Sequence, residues 1–226
     1  MPENAFIKES VNSAPGDEYQ RFAGIYDGLL RLPTRGIRLA GLRMLPPREG
    51  SRVLDVGCGT GIHLNLYRQF GCRLYGLDTS KSMLKVAGKR LGSDADLRFH
   101  NAAEMPYENS MFDLVSGMFV LHEMDQSARK AVVSEMERVV KPGGGVLLID
   151  FNAGIQHTLA GRFASLMIPM VEKAAGARHF NNYKHFMSIN GLASLVEESG
   201  LVKTGQKFAA GGAVELLSLA RHSAGQ

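Results

Sequence analysis

The chain has 226 residues, 45% of them hydrophobic and 21% charged, which suits one large α/β core and excludes a largely disordered chain. A net charge of +4, scattered along the sequence, argues against a nucleic-acid footprint and allows only weak attraction to anionic lipid headgroups. With two cysteines lacking metal or disulfide spacing (Cys58, Cys72) and no signal-peptide pattern in MPENAFIKES, the expected setting is reduced and cytoplasmic.

Residues 1–18, with Pro2, Asn12, Pro15 and Gly16, are expected as a loosely held arm, and 19–226 as a single domain. Over 19–45 apolar side chains recur at helical intervals, with a break expected at Pro33 and a sharp end at Pro46-Pro47; this segment reads as a helical cap. Strands and helices then alternate. Arg52 to Val56 is a strand and Gly61 to Phe70 a helix; Arg73 to Leu77 is a strand, and Ser80 caps a helix running to about Leu91. Leu97 to Phe99 and Phe112 to Met118 are strands, and Ser127 to Val140 is an amphipathic helix. Pro142-Gly143 then turns the chain into a fifth strand, Gly145 to Phe151.

This alternation predicts an α/β fold of the doubly wound, Rossmann-like kind, with helices on both faces of a mostly parallel sheet. After 151 the pattern changes. Residues 151–187 form a helical insertion suited to a lid, containing His157, His179, Asn181, Asn182, Tyr183 and His185. Its apolar run, Leu159 to Val171, is interrupted by Gly161, Arg162 and Pro169 and is too short to span a bilayer. A helix over Ser188–Ser199 ends at Gly200. Leu201 to Phe208 and Val214 to Ala220 then make an antiparallel hairpin through Gly211-Gly212, bringing the sheet to seven strands.

Such sheets bind ligands at the carboxyl ends of their strands. There the first strand delivers VLDVGCGTG, with glycine at 57, 59 and 61. Glycine permits positive φ and removes the β-carbon that would hold a ligand away, so backbone amides at this turn are expected to grip it. The dinucleotide fingerprint G-x-G-x-x-G is not met, because position 62 is isoleucine. Asp78 ends the second strand, where a carboxylate can accept from both hydroxyls of a ribose.

VLDVGCGTG resembles motif I of the class I S-adenosylmethionine-dependent methyltransferases. The likeness runs from about 19 to 220 and is densest in 53–61, 76–84, 101–114 and 138–150. Within that superfamily the chain is most similar to the ubiquinone and menaquinone biosynthesis branch. The resemblance implies S-adenosylmethionine as cofactor, S-adenosylhomocysteine as product, and a small apolar or aromatic, quinone-like acceptor. It further implies that Asp55 orients the methionine end, Asp78 takes the ribose, Met83 packs on the adenine, and Asn101 and Ala102 meet the adenine edge. Relatives carry aspartate where this chain has Asn101, an amide oxygen that still accepts but bears no charge. Cys58 and Thr79 fall inside the same motifs and join the cofactor set, and Tyr26 is the candidate for an aromatic closing over it. GMFVLHEMD resembles the segment facing the methyl group, which makes His122 the leading candidate for a general base, with Glu123, His157 and Tyr183 behind it. The spacing of the histidines specifies no metal site. Two other readings remain: a nicotinamide-dependent oxidoreductase on the same crevice, and a non-catalytic S-adenosylmethionine-binding module.

Overall fold

The computed structural model describes residues 7–9, 23–154, 156 and 158–222, with side chains from Thr34 onward. In chain order the elements are β1 (Ile7–Glu9), α1 (Ala23–Met44), β2 (Arg52–Val56), β3 (Arg73–Asp78), α2 (Lys81–Leu91), β4 (Ala95–Phe99), β5 (Phe112–Met118), α3 (Gln126–Val139) and β6 (Val140–Phe151). The helices α4 (Leu159–Ala174), α5 (Ala177–Ser188) and α6 (Leu192–Glu197) follow, then β7 (Leu201–Ala209) and β8 (Val214–Arg221). They build one sheet in the order β1-β4-β3-β2-β5-β6-β8-β7. The pairs from β1 to β6 are parallel, and β8 runs antiparallel to both β6 and β7. The seven expected strands are all present, and the three-residue β1 adds an edge strand beside β4. The rest of the expected arm lies outside the described residues.

The central strands are apolar throughout because both faces are covered: Val53, Leu54 and Val56 of β2, and Val146, Leu147 and Leu148 of β6, are fully buried. Ser80 caps α2 by accepting from the Met83 amide at 3.1 Å, and Asp125 caps α3 by accepting from Ala128 at 2.9 Å. Val132, Val133, Met136 and Val139 of α3 close one side of the core.

Three local expectations change. First, α1 is one continuous helix rather than two broken at Pro33. Packing of Ile37 against the Leu147 and Ile149 face of β6 favours helix in its second half, and tertiary contact outweighs local propensity. Second, the helix expected from Gly61 is a 3-10 helix over Leu64–Phe70, since Gly61 sits at φ +74° and Gly71 ends it at φ +65°. Third, Pro142-Gly143 does not precede β6 but lies within it. Phe112 pairs with Val140 and Leu114 with Gly145, so the turn survives as an irregularity in the ladder with Gly143 at φ +72°.

Candidate active site

Strand order reverses at β2, with β3 and β4 on one side and β5 and β6 on the other, and the carboxyl ends of β2, β3, β4 and β5 border a cavity of about 1060 Å³. The three glycines of the β2 turn all have positive φ, yet each answers a different demand. A β-carbon on Gly57 would stand 2.4 Å from Val120 Cγ2, and one on Gly61 would stand 2.9 Å from Leu91 Cδ1. Those two glycines let protein approach protein. Only at Gly59 would a β-carbon enter open space, and Gly59 lines the cavity.

The amides of this turn are not offered to a ligand as expected. Gly57 and Cys58 both donate to the Leu77 carbonyl (2.9 and 3.1 Å), Gly61 to the Cys58 carbonyl (2.9 Å), and Gly59 to Asp78 Oδ2 (2.7 Å). A turn whose amides are spent on β3 and on the turn itself lacks the cluster of donors a pyrophosphate needs. It suits a nucleoside that lies against backbone. The Cys58 thiol is buried, and burial pushes its ionisation well up, so it packs rather than reacts.

Asp78 receives the Gly59 amide on one oxygen and the Ser80 amide on the other at 2.8 Å. A carboxylate has about four acceptor positions, so these bonds are compatible with accepting from a diol as well. Thr79, Met83, Phe99, His100, Asn101 and Ala102 continue the wall on this side. Met83 and Ala102 are buried, while Asn101 is exposed and its side-chain oxygen accepts from the Ala103 amide at 3.0 Å.

At the other flank Asp55 is buried, with Ser116 Oγ donating to it at 2.7 Å. Burial lifts its pKa to about 7, against the Ser116 hydrogen bond and the Arg38 charge, which lower it. Beside it His63 is buried and kept neutral, its pKa pushed down to about 3 by burial and by the Arg38 charge. Its Nε2 meets the Tyr67 hydroxyl at 3.2 Å, while its Nδ1 has no partner among the described residues. A buried polar atom without a partner at a cavity wall fits a polar ligand group. Thr34 and Arg38 of α1 line the same corner. Tyr26, the residue expected from this helix, lies in the first part of α1, before the described side chains begin at Thr34.

The remaining wall is built by the end of β5 and by α5: Met118, Phe119, Val120, Glu123, Met124, Arg178, His179 and Asn182. Phe119 holds φ +53°, an uncommon conformation for a bulky residue and a sign that the chain is constrained here. His122 is buried behind this wall. Its Nδ1 meets Asp150 Oδ1 at 2.7 Å and its Nε2 faces Glu172 Oε2 at 3.5 Å. Burial opposes its charge, but the Asp150 and Glu172 carboxylates prevail and raise its pKa to about 10. With both nitrogens engaged, His122 is not poised to remove a proton. His157 lies outside the described residues, and Tyr183 is buried beside the His122 ring.

Arg129, fully buried on α3, explains the polar run of α5. It donates to the carbonyls of Leu121 (2.8 Å), His122 (3.3 Å) and Asn182 (2.5 Å), and its Nη1 lies 3.1 Å from His185 Nδ1. Asn182 in turn donates to the Glu123 carbonyl at 2.6 Å. The helix α5 is thus fastened to the body of the domain. In contrast, Phe163, Leu166 and Met170 of α4 are 66%, 71% and 65% exposed and do not border the cavity.

The sequence reading missed Arg38, His63, Arg129, Asp150 and Glu172. Asp150 carried a visible signal, an acid inside the apolar run VLLID, of the same kind that marked Asp55.

Residues 53–144 match a family model described as a methyltransferase domain. The chain is 35% identical over 128 residues to a demethylmenaquinone methyltransferase of Renibacterium salmoninarum, an alignment covering 57% of this chain and about half (51%) of that relative. Against the demethylmenaquinone methyltransferase of Lysinibacillus sphaericus it is 30% identical over 217 residues, covering 88% of this chain and 89% of the relative. Among solved structures, the putative methyltransferase of Haloferax volcanii in complex with the Trm112 methyltransferase activator superposes with a TM-score of 0.68 at 17% identity, over 92% of this chain and 100% of that one. With the strand order, the glycine turn and near full-length likeness to a relative in agreement, the chain belongs to the class I S-adenosylmethionine-dependent methyltransferases.

Proposed function

We propose that this enzyme methylates a small quinone-like aromatic acceptor, with the cofactor lying along the cavity from Asn101 to Asp55. The carrying observation is that one continuous cavity joins Asp78 and Gly59 to Met118, Phe119, Met124 and His179. In this reading Asp78 accepts from the ribose hydroxyls, Met83, Asn101 and Ala102 flank the adenine, and the open Gly59 face lets the sugar approach the backbone. Asp55, His63, Thr34 and Arg38 hold the amino-acid end: acid against ammonium, guanidinium against carboxylate, and the unpartnered His63 Nδ1 within the same corner.

When bound, the cofactor supplies a methyl group on a positively charged sulfur, and transfer to an in-line nucleophile discharges that sulfur. The chain's contribution is placement in a closed cleft, which can lower such a barrier by about 7–11 kcal/mol when orientation is good. Phe119 and Met124 give an apolar wall against which a flat acceptor can lie, and Glu123 borders the same end as a group able to receive its proton. The demethylmenaquinone methyltransferase names of the relatives support the acceptor class.

Calorimetry with S-adenosylhomocysteine tests the cofactor half. Asp78→Ala is expected to weaken binding by about 1.5–3 kcal/mol, the worth of hydrogen bonds to a charged group. An unchanged dissociation constant removes Asp78 from the ribose site. For the acceptor half, a naphthoquinol lacking its ring methyl should yield the methylated product in the presence of S-adenosylmethionine. Failure with that acceptor, alongside turnover of a carboxylate or thiol, overturns the quinone-like assignment.

A further inference from the structure

Three donor side chains outside the cofactor half converge behind the cavity wall. His122 follows β5, Glu172 lies near the end of α4, and His179 lies in the first half of α5. The Nε2 of His122 stands 3.5 Å from Glu172 Oε2, the Nε2 of His179 stands 2.5 Å from the same oxygen, and the candidate donor atoms all lie within 4.8 Å of one another. His122 and Glu172 are 3% and 7% exposed, and His179 borders the cavity. Asp150 holds the far nitrogen of His122 at 2.7 Å while also accepting the amides of Leu121 and His122. A carboxylate behind an imidazole is the arrangement that fixes the tautomer and aim of a metal-ligating histidine.

We propose that His122, Glu172 and His179 form a site for one divalent cation of the zinc type at the acceptor end of the cavity. Two imidazoles and a carboxylate are a donor set such cations favour, and three protein ligands leave a position open. With metal–ligand distances of about 2.0–2.2 Å and tetrahedral angles, donors stand about 3.4 Å apart. The His122–Glu172 separation of 3.5 Å meets that spacing as it is. The His179–Glu172 contact has to open by about 1 Å, within the reach of a glutamate side chain, as the cation takes the place of their direct contact and metal binding releases any proton held there. Because His179, Glu123 and Asn182 line the cavity, the open position faces it and takes an oxygen of the acceptor; this last step rests on the acceptor reading above. The cation also joins α4 and α5 to the β5 and β6 ends, so it completes the lid as well as the site.

The test uses the full chain without an affinity tag, stripped with a chelator and dialysed against zinc, with cobalt(II) as an optical probe. The expected result is one zinc per chain, visible cobalt absorption of a low-coordinate site, and at least about 100-fold weaker zinc binding for Glu172→Gln and His179→Ala. Asp150→Asn, acting through His122, is expected to lose about 10–100-fold. S-adenosylhomocysteine affinity, read on each variant, reports that the fold is intact and is expected to hold within about twofold. Zinc bound no better by the parent chain than by Glu172→Gln overturns the site and leaves the cluster as a hydrogen-bonded clamp. Loss of S-adenosylhomocysteine binding by the parent chain with zinc still bound at one per chain would instead strike the cofactor assignment and leave the cation site standing.

Discussion

At one end of the cavity Gly57, Gly59 and Gly61 come from the turn after β2 and Asp78 from the end of the adjacent β3, and their work is done largely by backbone. At the other end His122, Asp150, Glu172, His179 and Asn182 come from a loop, a strand and two helices, and their work is done by side chains. The first end is specified by φ angles and by how closely two chain segments meet, properties that a short run of residues carries within itself. The second exists only once β6, α3, α4 and α5 have packed. Changes at the two ends should therefore separate: the turn couples stability tightly to cofactor binding, and the lid cluster leaves the cofactor nearly untouched.

The largest effect is expected within the turn itself. Gly57→Ala carries a left-handed φ penalty of about 1–2 kcal/mol and an overpacking cost against Val120 of about 1–3 kcal/mol, so urea unfolding should show a loss of about 2–5 kcal/mol. Gly59→Ala meets open space, so its stability loss should be the smaller φ penalty alone, while S-adenosylhomocysteine binding falls by a further steric cost. Equal stability losses in the two variants would remove the distinction drawn between close approach and ligand room.

Arg129→Met tests the other end. It leaves the carbonyls of Leu121, His122 and Asn182 without their buried donor, which should cost about 1.5–3 kcal/mol of stability. S-adenosylhomocysteine affinity should stay within about threefold, since Arg129 does not line the cavity. A loss of cofactor affinity as large as that of Asp78→Ala would show the two ends to be coupled.

The contrast also accounts for what could be read in advance. All seven long strands follow from apolar runs punctuated by glycine and proline, and Asp55 and Asp78 stood out as acids at the ends of such runs. The family likeness, now established, removes the nicotinamide and the non-catalytic readings. Less legible was how each glycine is used, because the Gly57–Val120 and Gly61–Leu91 contacts join residues far apart in the chain. Nor did the sequence show that His122, placed in a segment similar to one facing the methyl group, would be turned onto Asp150 and Glu172. Its partners lie 28 and 50 positions away, beyond any local pattern. The apolar residues of α4 were hard to place for a related reason: helical periodicity marks a face but not what it meets, and Phe163 and Met170 are exposed.

A smaller effect probes the charge at the junction of the two ends. Asp55 has its pKa raised to about 7 because burial disfavours its ionised form. Between the ordinary carboxylate value and about pH 7 the folded chain therefore holds a proton that the unfolded chain has lost. Ligand-free stability from this residue falls as pH rises through that window and is flat above it. A cofactor bearing a cationic sulfur and an ammonium prefers the carboxylate, so its affinity should move in the opposite sense and rise with pH. From pH 6 to pH 8 a group with a pKa near 7 passes from about a tenth to nine tenths ionised, so the gain is expected to be about tenfold, or about 1.4 kcal/mol. The amino group of the ligand titrates nearby, so the informative quantity is the difference between the parent chain and Asp55→Asn, measured by calorimetry at each pH. Ser116→Ala, which removes the hydrogen bond that lowers this pKa, should carry the same rise to higher pH. Parallel pH profiles for the parent chain and Asp55→Asn would detach Asp55 from the cofactor's charge and leave it a buried acid serving the strand alone.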